Sequence, residues 1–214
     1  MDKIKSLTGM LDLYDDGDNS LLPAKLFYLE EKIKHIFKSY KLNEIRTPVL
    51  EDANLFIRSV GGASDIVNKE IYSFNDRNDK GIALRPEGTA SVIRSIVEKK
   101  LDQSNHKLWY LGPMWRYERP QKGRYRQFNQ AGVEILGIPE GMPEFEMISI
   151  VCSIITEFNL ENCTIKINHL GNQKSKESFC NALIDFLEPH KKLLDEKDNQ
   201  RLEKNPLRVL DSKN

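Results

Sequence analysis

The chain has 214 residues, 39% of them hydrophobic, and 32 basic side chains balance 32 acidic ones for a formal net charge of +0. That size buries a substantial core, most simply as one domain with at most a small appendage, and balanced charge excludes a nonspecific nucleic-acid coat while leaving room for a local basic patch. The longest apolar runs, such as Ile148 to Ile155, fall far short of a bilayer span, and no signal-type apolar stretch follows Met1-Asp2-Lys3-Ile4-Lys5. A cytoplasmic protein without a membrane partner is therefore expected.

In chain order, Leu22, Leu26, Leu29, Ile33, Ile36 and Tyr40 recur at helical spacing and predict an amphipathic helix over 21–40. Ser20 is its N-cap candidate and Pro23 suits the first turn. Glu44 to Leu50 reads as a strand, and Pro48 within it removes a ladder donor, which suits an edge or a chain-to-chain junction. Gly61-Gly62 marks a turn or mobile loop. Gly81 to Leu84 is a short strand that ends at Arg85-Pro86, and Thr89 to Lys99 is a helix with Val92, Ile93, Ile96 and Val97 turned inward. Glu87, Gly88 and Thr89 thus sit at a strand-to-helix junction. They either converge on a small ligand, or Thr89 caps the helix while Glu87 complements its dipole.

Lys107 to Leu111 predicts another strand, after which Gly112-Pro113 turns into a hairpin. Beyond Gly137, Pro143 to Phe158 reads as a helix burying Ile148, Val151, Cys152 and Ile155. Thr164 to Asn168 alternates like a strand, Asn172 to Leu194 is helical with an interruption near Pro189, and Lys191 to Asn214 is highly polar. Cys152, Cys163 and Cys180 have no metal-type spacing and an odd count, so they read as reduced, partly buried residues. His35, His106, His169 and His190 likewise lack metal spacing and read as ordinary surface or half-buried residues, not metal ligands.

The local anomaly lies between Arg116 and Arg126, where Arg116, Arg119, Lys122, Arg124 and Arg126 face a single acid, Glu118. Pro120 and Gly123 punctuate the segment into strand, loop and strand, with the cations on the loop. On the second arm a period of two puts Arg126, Phe128, Gln130, Gly132 and Glu134 on one face and Asn129, Ala131, Val133 and Ile135 on the other. The odd positions should face a core. The even ones line up a ring, an amide and a carboxylate, which reads as the floor of a polyanion site, with a merely exposed face as the alternative.

These residues resemble motif 2 of class II aminoacyl-tRNA synthetases: Arg116-x-Glu118, the arginine-rich loop, then Phe128-x-Gln130. The string from Arg116 to Phe128 is similar to that of the bacterial histidyl-tRNA synthetase family. Leu84-Arg85-Pro86-Glu87-Gly88-Thr89-Ala90 resembles that family's amino-acid-binding loop, and Glu44 to Glu51, around Pro48, resembles motif 1. Gly61 to Val67 and Asn205 to Lys213 extend the likeness over essentially the whole chain. The resemblance implies an α+β fold, an antiparallel sheet flanked by helices and incomplete at its C-terminus. Residues 1–160 correspond to the N-terminal part of the catalytic core, and 161–214 continue it into a polar helical segment. It also implies a homodimer built by the 21–40 helix and the 44–50 strand.

By position, the resemblance assigns catalysis to Arg116, which would bridge the histidine carboxylate and the α-phosphate of ATP. Histidine would be held by Glu87, Gly88, Thr89, Arg116, Gln130 and Glu134, with Glu134 accepting an imidazole N–H. ATP would be held by Arg116, Glu118, Arg124 and Phe128, the ring of Phe128 stacking under adenine and Glu118 accepting from its amino group. Mg²⁺ would enter on the ATP phosphates, and tRNA(His) would be the acceptor. The family's second histidine-binding block, its arginine-bearing motif 3 and its anticodon-binding domain do not occur in these residues, so the chain alone should be close to inactive. Alternatives are a synthetase-like regulatory subunit of ATP phosphoribosyltransferase and a truncated non-catalytic binding paralogue.

Overall fold

A computed structural model describes residues 4–14, 17, 23–59, 70–139, 141–169 and 171–212. Its central feature is the pairing of two long strands, β5 (His106–Trp115) and β6 (Gln127–Leu136), antiparallel along their whole length. Trp109 lies opposite Val133, Tyr110 opposite Gly132, Gly112 opposite Gln130 and Met114 opposite Phe128. A two-residue strand, β1 (Asn43–Glu44), joins the other edge of β5 in parallel, giving the order β1-β5-β6. A second, antiparallel sheet has β4 (Gly81–Leu84) between β2 (Leu50–Asp52) and β3 (Ser73–Asn75). The architecture is the expected α+β, with one parallel pairing in a mainly antiparallel framework.

The alternation of β5 and β6 sorts two layers. On one face Trp109, Leu111 and Val133 pack against Ile33, Ile36 and Phe37 of α1 (Pro23–Ser39), against Leu42, and against Ile150 and Ile154 of α4 (Met142–Glu157). The Phe37 and Trp109 rings stand 5.5 Å apart. On the other, Leu108, Tyr110, Met114, Phe128 and Leu136 pack against Val92 and Ile96 of α3 (Thr89–Glu98). The first face is covered less fully than the alternation predicts: Val133 and Ile135 are half-buried and Ala131 is exposed, because the α1–α4 layer is centred on Trp109 and does not cover Ala131.

Several local expectations change. Gly112-Pro113 does not turn; both lie inside β5. The neighbouring odd position Trp115 sends its N–H to the Arg85 carbonyl, away from β6, and Trp109 turns its carbonyl to Ile45 on the same side. The N–H that Pro113 lacks would point to that side too, so the β5–β6 ladder loses nothing. The 44–50 segment is not one strand. It pairs only at its two ends, as β1 and β2, with Pro48 in the unpaired stretch between them. In α3, Val92 and Ile96 are buried, but Ile93 and Val97 are exposed along a cleft of about 930 Å³ shared with Leu55 of α2 (Ala53–Ser59). In α4 the buried residue is Ile150, while Val151 and Cys152 are exposed. Apolar residues on every side of that helix leave its sequence without a readable phase.

Residues 1–161 and 162–214 form two compact units. In the second, α5 (Gln173–Leu187) is capped by Asn172, whose side chain accepts from the Ser175 N–H, and ends where the 3₁₀ segment Glu188–Leu193 carries Pro189. The polar tail folds as α6 (Glu196–Lys204) and a 3₁₀ turn, Pro206–Asp211. Residues 163–169 form no strand, because among the described residues nothing pairs with them, and Ile165 and Ile167 are exposed. Cys152 and Cys163 are exposed rather than partly buried, Cys180 is half-buried, and none of the three is in a disulfide. Among the described residues no helix is long and apolar enough to cross a membrane. Ser20, Leu22 and Gly61-Gly62 lie outside the described residues.

Arg85 joins the two sheets. Its Nε donates to the Pro113 carbonyl at 3.1 Å, and Nη1 donates to the Thr47 carbonyl at 2.9 Å and to Thr47 Oγ1 at 3.2 Å. Its own N–H donates to the Val49 carbonyl at 3.0 Å. Arg85→Met leaves the Thr47 and Pro113 acceptors without a donor and should lower unfolding free energy by about 2–4 kcal/mol. Urea denaturation of the chain measures this. Arg85→Lys should recover only part of the loss, since an ammonium has no planar fork to reach all three acceptors.

Candidate functional site

β6 sets out the site by its pleat. Phe128, Gln130 and Glu134 point to the α3 face, where the β4–α3 junction meets them. The Gln130 Oε1 accepts from the Gly88 N–H at 3.2 Å, and Glu134 Oε1 accepts from the Thr89 hydroxyl at 2.6 Å. Gln130 and Glu134 therefore share one side of the strand, and both touch the Glu87–Thr89 loop. Glu87 rather than Thr89 completes the helix start: its carboxylate accepts from the Thr89 N–H at 2.6 Å and from the Ala90 N–H at 2.9 Å. The Thr89 side chain is thereby released from capping and reaches across to the sheet.

At the other end of the row, the Arg116 Nε donates to the Pro86 carbonyl at 2.8 Å and the guanidinium lies 5.1 Å from the Phe128 ring centre. The β6 face therefore adjoins the Arg116 cation at one end and the Glu87 and Glu134 carboxylates at the other. Glu118 sits between two cations, 3.0 Å from Arg124 and 3.9 Å from Arg116. Arg124 is largely exposed on the loop, so its pair with Glu118 is the kind that solvent weakens. Arg126 does not join this group. Its Nε donates to the Glu118 carbonyl at 3.0 Å and its guanidinium stacks 4.0 Å above Tyr117, so it holds the loop together.

Tyr110, which the sequence reading passed over, is the wall between these groups. A Cβ on either Gly88 or Gly132 would fall 2.2 Å from its ring, so the tyrosine fits only because both neighbours are glycines. Burial pushes its hydroxyl pKa up, the Glu134 and Glu87 carboxylates add to the rise, and the neighbouring Thr89 hydroxyl and Gly88 backbone oppose it. The signal was available in the register: an aromatic on β5 directly opposite a glycine on β6 marks a ring laid across the neighbouring strand.

Burial also raises the Glu134 pKa; the Thr89 hydrogen bond opposes this and the nearby Glu87 charge adds to it. The carboxylate is thus held in a setting that favours its protonated form and that a donor from a ligand would relieve. The folded protein keeps this proton at a pH where the unfolded chain has lost it, so stability falls as pH rises from the ordinary carboxylate value through the folded one. Glu134→Gln should remove that fall, which urea-unfolding series of variant and parent between about pH 4 and 8 would reveal as a converging difference on the acid side.

Relatives place these residues in context. The sequence matches the family described as Histidyl-tRNA synthetase over residues 22–205. It is 47% identical over 202 residues to a histidine–tRNA ligase of Microcystis aeruginosa, covering 92% of this chain and 47% of the relative. With the Legionella pneumophila histidine–tRNA ligase it shares 44% identity over 216 residues, covering 100% of this chain and 50% of that one. The chain therefore spans about half the length of the curated relatives it matches. Its fold is similar to the crystal structure of apo S. aureus histidyl-tRNA synthetase, with a TM-score of 0.75 at 33% identity over 97% of this chain and 48% of that one. A Bacillus halodurans structure named as an ATP phosphoribosyltransferase regulatory subunit/histidyl-tRNA synthetase shares the fold, with a TM-score of 0.67 at 20% identity over 94% of this chain and 56% of that one. On the extent of the family match and the identity of its relatives, this chain belongs to the histidyl-tRNA synthetase family.

Proposed function

We propose that this chain supplies the motif 1 and motif 2 part of a histidine–tRNA ligase, and that its β6 face binds histidine and ATP for adenylate formation. The observation that carries the reading is the facing of Gln130 and Glu134 onto Gly88 and Thr89, with Arg116 and Phe128 adjoining on the same face. Relatives at 44–47% identity are named histidine–tRNA ligase. The regulatory-subunit alternative rests on a likeness of fold at 20% identity and is not favoured.

In the reaction, a carboxylate oxygen of histidine bonds to the α-phosphorus of ATP, the bond from that phosphorus to the bridging oxygen breaks, and pyrophosphate leaves with the electron pair. The attacking group is already an anion, so no general base is needed. The site must align two anions and offset their repulsion. Arg116 suits that task because its guanidinium stays charged, and its Nε bond to Pro86 leaves the two terminal nitrogens for oxygens of the substrates. Phe128 is the platform for adenine. Glu118, paired with Arg124 and close to Arg116, would exchange part of those contacts for the adenine amino group, releasing Arg124 to the terminal phosphate.

Glu87, Thr89 and Gln130 surround the place for the α-ammonium. Glu87 still has lone pairs beyond the two bonds it accepts from the start of α3. Glu134, half-buried and holding one hydroxyl donor, is suited to an imidazole N–H. A buried carboxylate rejects apolar side chains more strongly than pocket shape alone, because its desolvation goes uncompensated. Among the described residues no cluster of three or more His, Cys, Asp or Glu is arranged to hold a metal, and Mg²⁺ would arrive as part of the nucleotide substrate. A homodimer with motif 1 at its interface, tRNA(His) as acceptor and a cytoplasmic setting complete the proposal. The exposed apolar residues Phe27, Tyr28 and Leu29 of α1, with Val49 and Leu50 beside Pro48, support that placement of the interface.

Histidine-dependent exchange of pyrophosphate into ATP tests the reading in a protein where these 214 residues are continued to the length of the relatives. Arg116→Ala should cut the turnover by about 10² to 10³ with a smaller change in ATP affinity, since its charge counts most in the transition state. Glu134→Gln should weaken histidine about 10- to 100-fold and leave ATP binding alone. Exchange that ignores both substitutions would sink the assignment. The 214 residues by themselves should give little exchange.

A further inference from the structure

The segment before α1 makes one contact that the adenylation reading does not use. Leu7 to Met10 form a tight turn, the Met10 N–H donating to the Leu7 carbonyl at 2.9 Å, with Gly9 in the left-handed region at φ +79°. The turn presents the Gly9 carbonyl to β6, where it accepts from the Arg126 N–H at 2.7 Å and the Gln127 N–H at 3.3 Å.

Successive N–H groups of a regular strand point to opposite sides. Here two in a row converge on one oxygen, while the Arg126 carbonyl still accepts from the Arg116 N–H at 2.9 Å. The chain is therefore kinked where it leaves the cationic loop and enters β6, which is an edge strand of its sheet. Such a kink leaves donors that the β5–β6 ladder cannot satisfy, and Gly9 takes both. The fit is close: a Cβ at Gly9 would lie 2.9 Å from Arg126 Cγ and 3.1 Å from Pro120 Cγ. Pro120 and Arg126 belong to the two arms of the loop, so one turn touches both. Leu7, Leu11 and Leu13 around it are exposed, which means that backbone hydrogen bonds and the packing of Gly9, rather than burial of these leucines, hold the segment in place.

We propose that Gly9 is a positioning residue for the nucleotide side of the site: its carbonyl clasps the kink at Arg126-Gln127 and so fixes the approach of Arg124 and Phe128 to ATP. The proposal rests on the adenylation reading for its consequence and on the kink alone for its geometry. Arg124 lies two residues before Arg126 and Phe128 directly follows Gln127, so freedom at the kink is transmitted to both. Gln130 and Glu134 lie farther along the paired strand, and their bonds to Gly88 and Thr89 do not pass through it.

Gly9→Ala forces a side chain into the left-handed region and into the loop, while the sheet cores remain untouched. Gly17→Ala is the control, at φ +84° with no described atom within 4 Å of its Cβ. In the 214-residue chain, amide hydrogen exchange at Arg126 and Gln127 should quicken about ten-fold or more in Gly9→Ala, with the β5–β6 ladder and the control unchanged. In the protein continued to the relatives' length, the KM for ATP in histidine-dependent exchange should rise about ten-fold and the KM for histidine by less than about two-fold. Unchanged protection at the two amides overturns the clasp, and so does an equal rise in both KM values, which a merely structural lesion would produce. If the parent protein catalyses no exchange, the adenylation reading falls, and the amide measurement still decides whether Gly9 holds the kink.

Discussion

The fold and the site both depend on a buried arginine at the end of a short strand. Arg85 is buried, and burial works against its charge. Its compensation comes from three carbonyl and hydroxyl acceptors and from the field of Glu51, itself buried and paired with Arg94 of α3. A charge held this way is costly to misplace or to remove, so it confers register as well as stability. It aligns the motif 1 segment through Thr47 and Val49, the C-terminal part of β5 through Pro113, and, through its own carbonyl, the Trp115 N–H at the start of the loop. Gly112 leaves room beside it: a Cβ there would stand 3.0 Å from a guanidinium nitrogen, which would have to give by a few tenths of an ångström.

From that anchor the site follows by short steps along the chain. Pro86, next to Arg85, turns its carbonyl to the Arg116 guanidinium, and Glu87 closes the start of α3. Gly88 and Thr89 then meet Gln130 and Glu134. Tyr110 fills the remaining gap between loop and strand, and two glycines give it room. The result separates charge along one strand face, with cations by the Arg116 loop and carboxylates by the helix start. That polarity suits the proposed adenylation, in which a phosphate would be gripped at one end and the ammonium of an amino acid at the other.

The residue types of the site and their order along the strand were legible in the sequence, because a period of two is enforced by the pleat wherever a strand forms. Phe128, Gln130 and Glu134 share a face for that reason alone, and the cation cluster from Arg116 to Arg126 is anomalous in a neutral chain whatever its fold. The helices over 23–39 and 89–98 were readable as helices, but not every apolar residue in them faces a core: Leu29, Ile93 and Val97 are exposed. What failed were features that depend on a partner: Thr164 to Asn168 alternates but finds no neighbouring strand among the described residues, and α4 is apolar on all sides, so only packing against α1 selects Ile150.

Local sequence therefore determined which side chains could act together on one strand and which segments could be helical, because those properties follow from backbone geometry within a few residues. Tertiary structure alone decided the rest. It turned Glu87 into the cap and freed Thr89 for Glu134, and it kept Pro113 inside β5 by facing its missing donor away from β6. It assigned Arg126 to Tyr117 and the loop backbone, and it brought Gly9 to a kink more than a hundred residues away. Each of these outcomes is set by which distant group occupies the far end of a hydrogen bond, and no periodicity encodes that.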